Sequence, residues 1–175
     1  MRRKNLNRKR LRSILLVGLL IQVGVSGQGI SSDLEGSLDW EDCGELESLV
    51  EPYAGEIVVL HFWASWCGPC VAEIPSLSAF YAQNTGELES LGIRLVAVNN
   101  DVRKKDLDRF RQDHDFEVPV CLDALSKINH ETDVLGLPST IVIDRTGQIN
   151  QRMNGAQAWG EEAILSRLRT LASQP

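Results

Sequence analysis

Two largely apolar runs of seven residues, at 57–63 and 93–99, dominate the hydrophobic pattern of the chain. Neither run alternates regularly with polar residues, so each predicts a strand that is covered on both faces. A stretch with helical spacing follows each run, at 68–84 and at 104–114. This alternation of strand and helix predicts an α/β domain with a parallel core sheet.

The remaining pattern completes a sheet that is flanked by helices. A short helix is expected at 42–50, a short strand at 118–122 and a second short helix at 126–132. Two further strands, at 140–144 and 149–153, are predicted to pair as an antiparallel hairpin, and an amphipathic helix at 161–172 closes the domain. The expected sheet is therefore mixed.

The amino terminus predicts export. Residues 1–12 contain seven Lys or Arg, and an apolar stretch that ends in small residues follows them. Residues 1–27 thus fit a signal peptide or signal anchor. The apolar core at 14–25 is shorter than the ~20 residues of a spanning helix, which favours cleavage over an uncleaved anchor. Residues 28–41 are interpreted as a linker and 42–175 as the domain, located in the periplasm or at the outer face of the cytoplasmic membrane.

Removal of the basic leader makes the chain strongly acidic. The formal net charge of the whole sequence is −6, but all 24 acidic residues and only eleven basic residues follow the leader, which gives about −13. Such a charge argues against nucleic acid as a partner. Membrane association is expected only if residues 1–27 are retained.

The motif Cys67-Gly68-Pro69-Cys70 follows the first strand directly, at the predicted start of a helix. Two intervening residues allow a disulfide to open and close without unfolding the chain. Cys67, at the helix terminus, is the expected nucleophile because backbone N–H groups stabilise a thiolate there, and Cys70 is the expected resolving thiol. Gly68 permits close approach of a substrate, Pro69 suits a first helical turn, and Trp66 is expected at the surface of the site.

Two simpler interpretations of the motif were weighed against redox chemistry. A zinc site needs further ligands, but no second C-x-x-C occurs, and the remaining cysteines and histidines lack ligand-like spacing. A purely structural disulfide would close too small a loop to restrict the unfolded chain much. We therefore expect no metal and no cofactor other than the redox-active disulfide.

The segment FWASWCGPCVAEIP at 62–75 resembles the active-site segment of thioredoxin-fold proteins, and more narrowly that of the extracytoplasmic TlpA/ResA-like family. A second match is GLPST at 136–140. The resemblance implies a thioredoxin-like fold with a TlpA/ResA-type strand-helix insertion at 98–120. It also implies a cis peptide bond before Pro138, with Leu137 and Pro138 forming a substrate-facing wall beside Cys67.

Two ionisable residues near the motif were assigned roles, each with a plainer alternative. Glu73 shares a helical face with Cys70 and matches a functional glutamate of the family, so it is expected to exchange a proton with Cys70. The alternative is a solvated glutamate in the first turns of the helix. His61 lies where thioredoxins carry a buried acidic residue, and it is either a modulator of proton chemistry or an ordinary core histidine.

Cys43 and Cys121 complete the cysteine count. In an oxidising compartment they could form a structural disulfide that pins the leading helix to the sheet edge. Alternatively, Cys121 is a small buried apolar residue in its strand. The sequence leaves these two interpretations open.

The expected function is that of an extracytoplasmic protein-disulfide reductase. The resemblance implies protein substrates with cysteine pairs, such as apocytochrome c or copper-site proteins, and a membrane electron donor. The alternatives are a disulfide-forming oxidase and a non-catalytic binding module or metallochaperone.

Overall fold

The computed structural model describes residues 42–174. The predicted leader at 1–27 and the linker at 28–41 lie outside the described residues. Within 42–174, no helix has both the length and the hydrophobicity that a membrane crossing requires. The helices and strands follow the predicted order: α1 Leu46–Val50, a 3₁₀ turn Glu51–Tyr53, β1 Ile57–Trp63, α2 Gly68–Ser90, β2 Ile93–Asn99, α3 Lys104–Asp113, β3 Val120–Leu122, α4 Lys127–Glu131, β4 Ser139–Ile143, β5 Ile149–Asn154 and α5 Glu162–Ala172.

The five strands form one mixed sheet in the order β3-β2-β1-β4-β5. Strands β1, β2 and β3 run parallel, while β4 is antiparallel to β1 and β5 is antiparallel to β4. The prediction of a central mixed sheet flanked by helices is confirmed. The predicted insertion at 98–120 contains α3 and ends where β3, the edge strand next to β2, begins.

Side chains alternate between two apolar layers because successive residues of a strand face opposite sides of the sheet. On one side, Ile57, Val59 and Trp63 of β1 pack with residues from α2, α3 and α5. On the other side, Val58 and Leu60 join a smaller cluster with residues from α1 and α4. Every residue of β1 is therefore buried, which explains why the run is apolar at every position except His61.

The first helix is shorter than predicted. It begins at Leu46 rather than at residue 42, and two features of the preceding residues explain the difference. Cys43 donates its backbone N–H to the carbonyl of Leu122 at 3.0 Å, and Gly44 has a φ of +70°. Neither arrangement is compatible with a helical turn.

The second helix is longer than predicted. It runs without a break from Gly68 to Ser90 across Pro75 and Gly86, whereas the sequence indicated an end near residue 84. Leu88 is buried in the main core, and its burial offsets the cost of roughly 1 kcal/mol for a glycine inside a helix.

Strand β3 begins at Val120 instead of residue 118; the other boundaries differ by no more than two residues.

Candidate active site

The cysteine pair lies at the carboxyl-terminal edge of the sheet, between β1 and α2. Cys67 is the N-cap residue of α2, and its Sγ accepts the backbone N–H of Cys70 at 3.3 Å. No acidic residue occupies the first turn of this helix. The positive end of the helix therefore acts on Cys67 with no acidic side chain in the first turn to oppose it, and this environment stabilises a thiolate.

Cys67 and Cys70 are joined by a disulfide. Cys67 is 6% exposed and Cys70 is completely buried, so Cys67 is the sulfur that a partner can approach. Gly68 and Pro69 are exposed beside it. A Cβ atom at Gly68 would contact nothing within 4 Å, so the space over this residue is open to a partner.

A buried carboxylate holds the loop that precedes the pair. Asp101, which follows β2, accepts hydrogen bonds from the backbone N–H of Ser65 at 3.1 Å and from its hydroxyl at 2.9 Å. The amide of Asn99 donates to the same carboxylate at 3.1 Å. These contacts fix the turn between β1 and Cys67. Asp101 was not among the predicted site residues, and its position two residues after a buried strand is the one local signal for it.

The Leu137–Pro138 peptide bond is cis. In the antiparallel register Ser139 pairs with Phe62 of β1, so Pro138 lies at the strand end from which the cysteine loop emerges. Pro138 is buried, and its carbonyl accepts the N–H of Gly155 at 2.9 Å. Leu137 is half-buried and packs against the cluster that contains both cysteines. The two residues thus lie at the edge where the resemblance located them.

His61 and Glu73 meet where α2 packs against β1. His61 Nε2 and Glu73 Oε1 are 2.9 Å apart, and both side chains are buried. Neither of these two atoms has a hydrogen bond of good geometry, so the contact is close but not well directed. The alternative of a solvated Glu73 is wrong, because the helix packs this side chain against β1.

Three residues that the sequence analysis did not assign to the site complete this buried group. The backbone N–H of Gln157 donates to Glu73 Oε2 at 2.7 Å. The hydroxyl of Thr140 is 3.0 Å from His61 Nδ1. The ring of Trp159 meets the imidazole edge-on at a centroid distance of 5.4 Å. Thr140 lies in β4 at the end of the GLPST segment, whereas Gln157 and Trp159 lie in the loop before α5, where no local motif marks them.

A groove of about 460 Å³ opens beside Trp66. Val102 and Phe110 contribute apolar surface to it, and Arg103 donates two hydrogen bonds to the Asp106 carboxylate, at 2.8 and 2.9 Å. These bonds hold the pKa of Asp106 below its usual range, so its carboxylate stays ionised to a lower pH than that of an isolated aspartate. The groove offers a partner an aromatic face next to charged groups.

Within residues 42–174, four large apolar side chains are exposed at this same sheet edge. They occupy the loops that follow β1, β2 and β3 or precede β4, and these strand ends share one edge because β4 is antiparallel to the other three. Exposed apolar surface of this kind marks interaction sites. The four residues are Trp66 at 68% exposure, Val102 at 77%, Leu125 at 79% and Leu135 at 100%.

Cys43 and Cys121 form a second disulfide, far from solvent. It joins the segment before α1 to β3, across a sequence separation of 78 residues. Both cysteines belong to the smaller apolar cluster. Their surroundings are those of a structural disulfide and not of an exchange site. Within residues 42–174, no group of three or more His, Cys, Asp or Glu side chains is arranged to hold a metal ion.

Residues 40–152 match the model of the AhpC/TSA family. The thiol-disulfide oxidoreductase ResA of Oceanobacillus iheyensis is 33% identical over 102 residues, which are 58% of this chain and 51% of that protein. The sporulation thiol-disulfide oxidoreductase A of Bacillus subtilis is 26% identical over 124 residues, 67% of this chain and 74% of that protein. The chain thus spans about half the length of the ResA relative.

A solved structure supports the fold assignment. A Chlorobium tepidum protein described as a thiol:disulfide interchange protein DsbE superposes with a TM-score of 0.61 at 28% identity, over 71% of this chain and 85% of that one. The mixed sheet with its flanking helices is the thioredoxin-like fold that the sequence predicted.

Proposed function

Since the chain belongs to the AhpC/TSA family, we propose that it is a thiol:disulfide oxidoreductase that reduces disulfides in protein substrates. The observation that carries the proposal is the Cys67–Cys70 pair at the amino end of α2. Its relatives named thiol-disulfide oxidoreductases support the same reaction.

The reaction begins with the dithiol form of the enzyme. The Cys67 thiolate attacks one sulfur of the substrate disulfide, the substrate S–S bond breaks, and the second substrate sulfur leaves as a thiolate that takes a proton from water. Cys70 then loses its proton and attacks Cys67 Sγ, which releases the first substrate sulfur. Two electrons pass from the enzyme to the substrate, and the enzyme is left as the disulfide.

Glu73 is the proposed acceptor of the Cys70 proton. It lies three residues after Cys70 on α2, one helical turn away on the same face. Its buried Oε1 has no hydrogen bond of good geometry, whereas Oε2 is held by the N–H of Gln157. One oxygen therefore fixes the carboxylate, while the other faces His61 Nε2 at 2.9 Å without a well-directed hydrogen bond and can take a proton.

Protein substrates are proposed because the edge around Cys67 carries exposed apolar groups. The proposed docking residues flank Cys67 on two sides. They are Trp66, Gly68 and Pro69 on one side and Leu137 and Pro138 on the other. An extended substrate segment can lie between them and contact their backbone and side chains. Leu125 and Leu135 extend the same apolar edge.

We place this chemistry outside the cytoplasm. The proposal rests on the predicted export signal at 1–27, and the Cys43–Cys121 disulfide agrees with an oxidising compartment. The proposed substrates are cysteine pairs of extracytoplasmic proteins, with apocytochrome c and copper-site proteins as the leading classes. The enzyme disulfide then has to be reduced again, and a membrane electron donor is the proposed source.

A trapping experiment tests the proposed function. In the variant Cys70→Ser, Cys67 can attack a substrate but no thiol can resolve the product, so mixed disulfides are expected to accumulate. The variant is incubated with an extracytoplasmic fraction, and the trapped partners are separated under non-reducing conditions and identified. Cys67→Ser/Cys70→Ser is the matched control. Failure of Cys70→Ser to retain any partner above this control would contradict the proposal.

A further inference from the structure

The contact between His61 and Glu73 has no structural explanation of its own. Both side chains are at least nine-tenths buried, and their facing atoms Nε2 and Oε1 approach to 2.9 Å without a well-directed hydrogen bond. Buried polar atoms are normally hydrogen-bonded, and an exception of this kind is costly. Since a core built only for stability would avoid such a pair, its function must be sought in the chemistry of the adjacent cysteines.

Among the described contacts of the His61 imidazole, one group can carry a charge, and it is the Glu73 carboxylate. Glu73 approaches from α2, the hydroxyl of Thr140 approaches from β4, and the ring edge of Trp159 closes the loop side. On β2 the residue in register with His61 is Ala97, which carries no charge. The protonation state of His61 is therefore coupled mainly to Glu73 and, through it, to Cys70.

We propose that His61 and Glu73 form one proton-holding pair, which takes up the proton of Cys70 during resolution and returns it when the enzyme disulfide is reduced. This inference rests on the proposed function, and it adds His61 as the residue that holds the transferred proton, which reaches it through Glu73. In the resolving step the proton moves from Cys70 Sγ to the pair. The Cys70 thiolate then bonds to Cys67 Sγ, and the substrate sulfur leaves with the electron pair of the broken bond.

The charge balance favours a pair over a lone carboxylate. A neutral His61 beside an ionised Glu73 carries one net negative charge, and the pair becomes neutral when it accepts a proton. The same step makes Cys70 negative, so the total charge of this site, which is shielded from water, stays constant. Burial penalises a change in net charge, and the transfer avoids one.

Thr140 can support both protonation states without movement of the heavy atoms. When His61 Nδ1 is unprotonated, the Thr140 hydroxyl can donate to it. When Nδ1 carries a proton, the same oxygen can accept the hydrogen bond at the observed 3.0 Å. The hydroxyl only needs to rotate, which keeps the imidazole fixed in the disulfide and dithiol forms.

The test compares the enzyme in its two redox forms. Nitrogen NMR of the histidine side chains reports the ring protonation of His61 in the disulfide and dithiol forms of the wild-type protein at one pH. We expect His61 to hold the extra proton in the disulfide form and to lose it in the dithiol form. His114 and His130, which lie on or next to α3 and α4, serve as internal references that do not change.

Rapid kinetics of the resolving step provide the second readout. We expect His61→Gln to slow the resolving step, in which the mixed disulfide becomes the Cys67–Cys70 disulfide. The expected decrease at neutral pH is roughly tenfold, which is smaller than the loss of a complete general base would cause. The deficit is expected to shrink as the pH rises, because hydroxide then removes the Cys70 proton. The matched control is His130→Gln, at an exposed position, which should resolve at the wild-type rate.

The outcomes separate this inference from the proposed function. Identical His61 protonation in the two redox forms overturns the inference, as does a His61→Gln variant with the wild-type pH profile, even if its rate is uniformly lower. In either case a wild-type enzyme that still exchanges disulfides leaves the proposed function intact. A wild-type enzyme that does not cycle between dithiol and disulfide contradicts the proposed function itself.

Discussion

Replacement of Cys67 by serine is expected to lower the turnover of protein disulfides by at least about a thousandfold, because a serine hydroxyl is not appreciably ionised at neutral pH. The helix terminus that stabilises a thiolate at this position cannot compensate for the much weaker acidity of the hydroxyl. The rate of reduction of a model protein disulfide, followed with a limiting amount of enzyme and an excess of chemical reductant, measures the effect.

Two control measurements show whether the loss of activity comes from the missing thiol and not from misfolding. The Cys67→Ser variant should keep the circular dichroism spectrum of the wild type, since a serine at an N-cap satisfies the helix N–H groups. Without added reductant, pre-reduced Cys70→Ser should still complete one attack and then stop as a mixed disulfide. Substantial multiple turnover by Cys67→Ser would show that the nucleophile is elsewhere.

Loss of the buried disulfide is expected to have the largest effect on stability. The variant Cys43→Ala/Cys121→Ala should lose about 4 kcal/mol of unfolding free energy, because in the chain-entropy model a bridge stabilises more as its loop grows. The sequence separation here is 78 residues, and the bridge ties the entry of the domain to its edge strand. Urea unfolding of the variant and the wild type, both with the Cys67–Cys70 pair oxidised, measures the difference.

A matched variant separates loop length from the mere loss of two sulfurs. Cys67→Ala/Cys70→Ala removes a bridge between residues only three apart, and the same model gives a loss of about 2 kcal/mol. The order of the two losses is the test. If Cys43→Ala/Cys121→Ala is no less stable than Cys67→Ala/Cys70→Ala, the long bridge does not have the stabilising role assigned to it.

The sequence was most informative about fold where burial alone decides the local structure. Strands β1 and β2 have the predicted bounds, because a strand covered on both faces needs a continuous apolar run. The ends of α1 and α2 were wrong because contacts distant in sequence decide them. Cys43 is held by β3, and the last turns of α2 are retained by the burial of Leu88.

The same distinction applies to the site. The roles proposed for Cys67 and Cys70 follow from local spacing, and the cis bond at Pro138 came from the resemblance. The contact of His61 with Glu73 depends on how α2 packs over β1, and the contacts of Thr140 and Trp159 depend on β4 and on the loop before α5. No spacing within a single element encodes them, which is why the sequence analysis could name His61 only as a modulator or a core histidine.

The equilibrium reduction potential of the Cys67–Cys70 pair tests the central claim most directly. The purified protein, with the Cys43–Cys121 bridge intact, is equilibrated in thiol/disulfide buffers of known potential, and the fraction of reduced Cys67 is determined by alkylation and mass spectrometry. A protein-disulfide reductase predicts a value near that of thioredoxin, about −270 mV. A value near the strongly oxidising ~−120 mV would instead identify a disulfide-forming oxidase and contradict the reductase account.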